Sequence, residues 1–152
     1  MGYTHYWYKQ RPFTAAEWEA ITNDTRSILD YCKQHKVAVS FEYDIAQPPQ
    51  VDSEAIRFNG VLDDGHETFE IGNSQDEPRE PYPGGSKGFA FCKTAQKPYD
   101  LPVCMVLMSI ARHAPGAMRI SSDGDWNHEW KQARETYEAL FAHSFMENIL
   151  GE

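Results

Sequence analysis

Apolar and polar side chains alternate along some stretches of this chain and recur every three to four residues along others, and the change of period marks the elements. Residues 3–8 (YTHYWY) carry aromatics that favour a pleated, half-buried surface and stop at Arg11-Pro12, which predicts a first strand. Thr14-Ala15-Ala16-Glu17 matches a capping box, in which Thr and Glu satisfy each other's free amides at a helix start. Trp18, Ile21, Thr25, Ile28, Leu29 and Cys32 follow at helical spacing and predict a helix over 14–35. A β-branched stretch, Val37–Tyr43, predicts a second strand leading into a polar loop at Pro48-Pro49.

Residues 55–60 and 66–71 both alternate around Val61-Leu62-Asp63-Asp64-Gly65, so a hairpin through that Asp-Gly turn is expected. Residues 72–88 hold three prolines, Gly84-Gly85 and many acidic groups, which predicts a long loop. Phe89 and Phe91 mark a short strand. Asp100 is placed to cap a second helix with Pro102 in its first turn, and Val103–Ala111 is apolar almost all round, the pattern of a buried helix. Met118–Ile120 reads as a strand, Ser121–Asp125 as a turn, and Trp126, Trp130, Ala133, Tyr137, Leu140 and Phe141 as a third helix reaching about His143. The order β-α-β-β-β-β-α-β-α predicts one α+β domain over 1–152, with an antiparallel or mixed sheet of five to six strands and three helices mainly on one face.

Charge alters the picture more than composition does. The chain carries −9 overall, which disfavours duplex nucleic acid and anionic membranes as partners, yet residues 87–119 hold Lys87, Lys93, Lys97, Arg112 and Arg119 against Asp100 alone, a local +4. Such an island suits a small anion gripped at contact, and equally suits solvated surface charge. Three widely spaced cysteines, Cys32, Cys92 and Cys104, predict buried free thiols in a reducing compartment. With no apolar run near the ~20 residues of a membrane span and no leader pattern, a cytoplasmic protein is expected.

Candidate chemistry falls on a few positions. Ser121, Ser122 and Asp123 precede the third helix, where free amides and hydroxyls hold anions or simply cap. His66-Glu67-Thr68-Phe69 fits the pattern His, any residue, Thr or Ser, apolar residue, which two-histidine phosphoesterases use twice, and His5 is the other strand histidine in a similar setting. Two such imidazoles could divide acid and base work, or could be hydrogen-bonded sheet residues. Aromatics at Tyr3, Tyr6, Trp7, Tyr8 and Tyr99 are able to stack a base or to pack. No motif calls for a metal, a cofactor, a Walker loop, a dinucleotide fold or a serine hydrolase elbow.

The words GYTHYW (2–7), FNG (58–60), GHETF (65–69), FCKTA (91–95), KPYD (97–100) and SSDG (121–124) together resemble an uncharacterised family of small phage and bacterial proteins. The resemblance implies a phage-like context, in which proteins of this size counter host defences by sequestering or cleaving nucleotide signals. It implies a ligand site at His5, Trp7, His66, Thr68, Lys93, Lys97, Tyr99, Asp100, Ser121, Ser122 and Asp123. Gln96 stands where a basic residue is expected, which removes one anion contact. The expected function is therefore sequestration of a small anionic nucleotide-like molecule in the host cytoplasm. The alternatives are a phosphodiesterase using His5 and His66, or a protein inhibitor acting through its acidic surface; self-association stays open.

Overall fold

The computed structural model describes residues 2–42 and 47–151. Among these, six strands and three helices form an α+β fold: β1 (Thr4–Lys9), α1 (Ala15–Gln34), β2 (Gln50–Val51), β3 (Ala55–Phe58), β4 (Phe69–Gly72), β5 (Phe89–Lys93), α2 (Asp100–His113), β6 (Met118–Ser122) and α3 (Lys131–Phe141). The strands make two antiparallel three-stranded sheets, ordered β5-β1-β6 and β2-β3-β4. The sheets meet beside β5, where the Glu67 amide donates to the Lys93 carbonyl and the Lys93 amide to the Glu67 carboxylate. No described helix is long and apolar enough to cross a membrane.

The capping box at Thr14 and Glu17 is present, with both reciprocal hydrogen bonds made. The α1 residues Trp18, Ile21, Thr25, Ile28 and Cys32 are buried, as their spacing requires. Along α2 every residue from Pro102 to Ile110 is buried, because this helix is sandwiched between α1, α3 and the β1 sheet. On the inner face of β1, Trp7 packs edge-on against Phe69, whose ring also meets Phe58, so the two sheets share one core. The outer edge of β6 is taken by the C-terminal segment, where Leu150 bridges Ile120 in parallel and the Gly151 amide donates to the Ile120 carbonyl.

Four elements differ from their sequence patterns. The strand expected over Val37–Tyr43 does not form across its described residues, 37–42, where Ser40 makes a single bridge to Asn59; its last residue, Tyr43, lies outside the described residues. The place beside β3 goes to Gln50–Val51 instead, after the proline pair. The expected hairpin does pair, with Phe58 opposite Phe69, but its connection is long rather than a tight Asp-Gly turn. A one-turn 3₁₀ helix at Leu62–Asp64 fills it, and buried Asn59 staples it by accepting from the Gly60 and His66 amides and donating to the His66 carbonyl and the Thr68 hydroxyl. The third helix begins at Lys131, not Trp126: residues 126–130 form turns in which the Asp125 and Glu129 carboxylates take the Asn127 and Asp125 amides. It ends at Phe141, where Ala142 turns left-handed. Finally, Asp100 does not cap α2. It is the first helical residue, Tyr99 holds the cap position without a side-chain bond, and the Asp100 carboxylate points elsewhere.

Candidate functional site

That carboxylate is the hub of a network joining β1, β6, α2 and the loop before α2. His5 on β1 is fully buried because its strand position faces the helices. Its Nε2 lies 2.6 Å from Asp100 Oδ1, and the Thr94 hydroxyl donates to the same oxygen at 2.6 Å. Cys104, one helical turn beyond Asp100, places its Sγ 3.6 Å from Oδ2 and 3.6 Å from His5 Nε2. On the other side of the ring, Nδ1 is 2.8 Å from Ser122 Oγ. Trp130 and Tyr3 set their rings edge-on to the imidazole, each with centroids 5.2 Å away.

Counting lone pairs fixes the histidine tautomer. Ser122 Oγ accepts from the Gly124 amide at 2.9 Å and from Trp130 Nε1–H at 3.1 Å, which fills a hydroxyl's two acceptor positions. Its own hydrogen therefore goes to His5 Nδ1, and the ring proton sits on Nε2, aimed at Asp100. Two chemical consequences follow. Ser122 Oγ has no lone pair left for nucleophilic attack. The donor atoms of His5, Asp100 and Cys104 lie within 4.8 Å of one another, a spacing that could hold a metal ion, but Nε2 would have to surrender its proton and leave Nδ1–H facing an oversubscribed oxygen.

Burial pushes the Cys104 thiol well up, with the Asp100 charge adding to it, so this sulfur is a protonated donor. The Tyr3 phenol is likewise raised, first by burial and then by Asp100 and Cys104. Among the described residues its buried oxygen has no hydrogen-bond partner, and a Cβ at Gly124 would stand 2.1 Å from it, so only glycine fits there.

No family model, curated protein or solved structure matches this chain. The site must be read from its own chemistry.

A pocket of about 200 Å³ opens against the network, lined by Gln96, Lys97, Asp100, Cys104, Glu129 and Gln132 among others. Asp100 is 17% exposed here, the one member of the His5 pair that reaches solvent. The rim loop is strained: Ala95 and Gln96 both adopt left-handed φ, of 54° and 56°, which non-glycine residues rarely do. The Thr94 and Ala95 amides both donate to the Tyr3 carbonyl, and the Lys97 amide to Thr94, so the surrounding bonds hold that conformation. Such strain clusters at ligand sites.

Of the residues expected at a ligand site, the fold gathers His5, Asp100 and Ser122 into one network and puts Lys97 on the pocket beside it. The others lie apart. Trp7 is core, and Tyr99 is buried with its hydroxyl on the Glu67 carbonyl. His66 is exposed in the loop before β4, and β1 pairs with β5 and β6 rather than with that loop, so the two histidines do not sit on adjacent strands. The Thr68 hydroxyl is taken by Asn59. Lys93 and Ser121 lie opposite Thr4 and Tyr6, on the other face of the sheet from His5, and Asp123 binds the Thr4 amide and the Tyr6 hydroxyl. The sequence reading missed Thr94, Cys104, Glu129 and Trp130. Cys104 had a signal, its four-residue spacing from Asp100; Thr94 had none.

Proposed function

We propose that this protein holds a small nucleotide-like molecule in the pocket between the 94–100 loop and α3, without turning it over. The observation that carries this reading is the hydrogen-bond account of Asp100. A carboxylate accepts about four hydrogen bonds. Three are supplied from inside, by His5 and Thr94 on Oδ1 and Cys104 on Oδ2. We assign the remaining position, on Oδ2, to the pocket that Asp100 and Glu129 both line, where two carboxylates suit hydroxyl or amino donors such as a ribose diol or an exocyclic amine. Lys97 at the rim suits the phosphate. The pocket is smaller than the ~300–1,000 Å³ of typical small-molecule sites, so one moiety enters and the rest extends outward.

Binding is favoured over catalysis because His5 is sealed from solvent with both nitrogens committed, and His66 is elsewhere. His5 acts as a positioning residue for Asp100. The phage-like words of the sequence fit a protein that withdraws such a molecule in a host cytoplasm. The test is to incubate the protein with cyclic and linear nucleotides, remove the excess, denature and weigh what is released. Intact nucleotide retained by wild type and lost in Lys97→Ala supports the reading. A changed mass would make the protein a hydrolase, and no retention would favour an inhibitor that works through its acidic surface.

A further inference from the structure

The sheet β5-β1-β6 has a second face, turned away from the helices, and its side chains are of a different kind. Register fixes which residues share it: Tyr6 lies between Phe91 and Ser121, Tyr8 between Phe89 and Arg119, and Thr4 opposite Lys93. The four rings adjoin. Tyr6 and Phe89 are near-parallel at 6.3 Å, Tyr8 and Phe89 are 5.1 Å apart, and Phe89 and Phe91 are 5.9 Å apart. The Arg119 guanidinium rests 4.3 Å from the centre of the Tyr8 ring. Phe91 is 51% exposed, and Tyr6, Tyr8 and Phe89 are half-buried beside it. A contiguous aromatic array that ends in an exposed ring offers a surface on which a flat partner can stack.

We propose that this face binds single-stranded nucleic acid, with unpaired bases stacked on Tyr6, Phe89 and Phe91 and phosphates met by Arg119 and Lys93. Neither cation forms an ion pair among the described residues, so each is free to meet a phosphate. Asp123, a carboxylate beside Tyr6, takes the Tyr6 hydroxyl and the Thr4 amide, and the Glu67 carboxylate takes the Lys93 amide. Ring positions two apart on a strand are separated by about 6.8 Å, a step that an extended, unstacked single strand can follow. Duplex bases are stacked on each other and cannot use the platform, in keeping with the net charge of −9, which repels a dense polyanion. RNA and DNA present the same stacking faces and phosphates. The proposal is independent of the pocket ligand, which lies on the opposite side of the sheet.

The experiment is fluorescence anisotropy with labelled eight-nucleotide RNA and DNA of mixed sequence, and with the corresponding duplex, from 50 to 200 mM salt. Single strands should bind and the duplex should bind more weakly; a 2′-hydroxyl preference separates RNA from DNA. Phe91→Ala and Tyr6→Ala should each weaken binding about 5- to 150-fold, the range for one lost base stack. With two phosphate contacts, log K should fall against log salt with a slope of about −1.4, and Arg119→Gln should remove about 0.7 of it. Phe91→Ala should leave the melting temperature and the retention of small nucleotides unchanged, so failure here is distinct from failure of the pocket reading. Equal duplex binding, indifference to both aromatic substitutions, or a wild-type dimer in sedimentation that Phe91→Ala dissolves, with no oligonucleotide bound, would overturn it.

Discussion

His5 Nε2 and Asp100 Oδ1 are separated by 95 positions in the chain and by 2.6 Å in the fold. The pair ties the first strand to the start of α2. His5→Ala removes a fully buried ring and leaves Asp100 and Ser122 each short of a partner. By analogy with other large-to-small core changes, it should cost about 2–5 kcal/mol. Urea unfolding measures this; a cost below about 1 kcal/mol would mean that the network does not hold the sheet to the helices.

The tautomer assignment can be read directly. Long-range ¹⁵N–¹H correlation spectra should show His5 protonated on Nε2 and bare on Nδ1. Ser122→Ala, which strands the Trp130 indole and the Gly124 amide, should cost about 1–3 kcal/mol, the desolvation penalty of an unpaired buried group. A proton found on Nδ1 in the wild type would return the His5, Asp100 and Cys104 cluster to consideration as a metal centre.

Tyr3 predicts an asymmetry. Because its buried hydroxyl has no partner among the described residues, Tyr3→Phe should be neutral or stabilising. Gly124→Ala should destabilise, since the added methyl would overlap that hydroxyl and also come within 2.9 Å of the ring carbon bearing it. The double substitution should recover part of the loss, relieving the first contact and not the second. Thermal denaturation of the four proteins completes the cycle.

Acid stability should depend on Glu17. Its carboxyl is held down to about 2, chiefly by the Arg11 guanidinium and also by the Thr14 amide of the capping box. A depressed acid stabilises the fold where it is ionised in both states, so its contribution should be complete above about pH 5 and lost as pH falls towards 2. Glu17→Gln should therefore lower stability at pH 6 and do so clearly less at pH 2.5. Equal effects at both pH values would assign Glu17 a role in packing rather than charge.

The three thiols should resist alkylation in the native protein. Burial pushes Cys32 and Cys92 up to about 12, and Cys104 is also raised by burial and by Asp100. Iodoacetamide at pH 8 should label none of them until denaturant is added, and rapid native labelling of Cys104 would show that the pocket wall opens.

Local signals carried most of the fold. Thr14-Ala15-Ala16-Glu17 states its helix start in four residues, and the apolar run after Pro102 states that its helix is buried, because both depend on neighbours in sequence. Val37–Tyr43 failed for the opposite reason: its β-branched residues fit a strand, but a strand needs a partner edge, and Gln50–Val51 took it. The site was legible residue by residue and not in its connections. Asp100 looks like a helix cap because Asp favours that position and Pro102 falls in the first turn; only the arrival of His5 from a distant strand diverts its carboxylate. Nothing near Thr94 or Trp130 in sequence says that they meet the same network. His66 drew attention through a motif whose hydroxyl, on Thr68, proves to be spent on holding a loop.

Leu150 and Gly151, laid along Ile120, act as a stopper on the open ladder of β6. A strand from another molecule cannot add there without first peeling the tail away, which guards that side against swapping and fibrillar growth. Whatever chain is joined behind Gly151 pulls on the stopper directly, so load applied there decides whether that border stands shut or ajar.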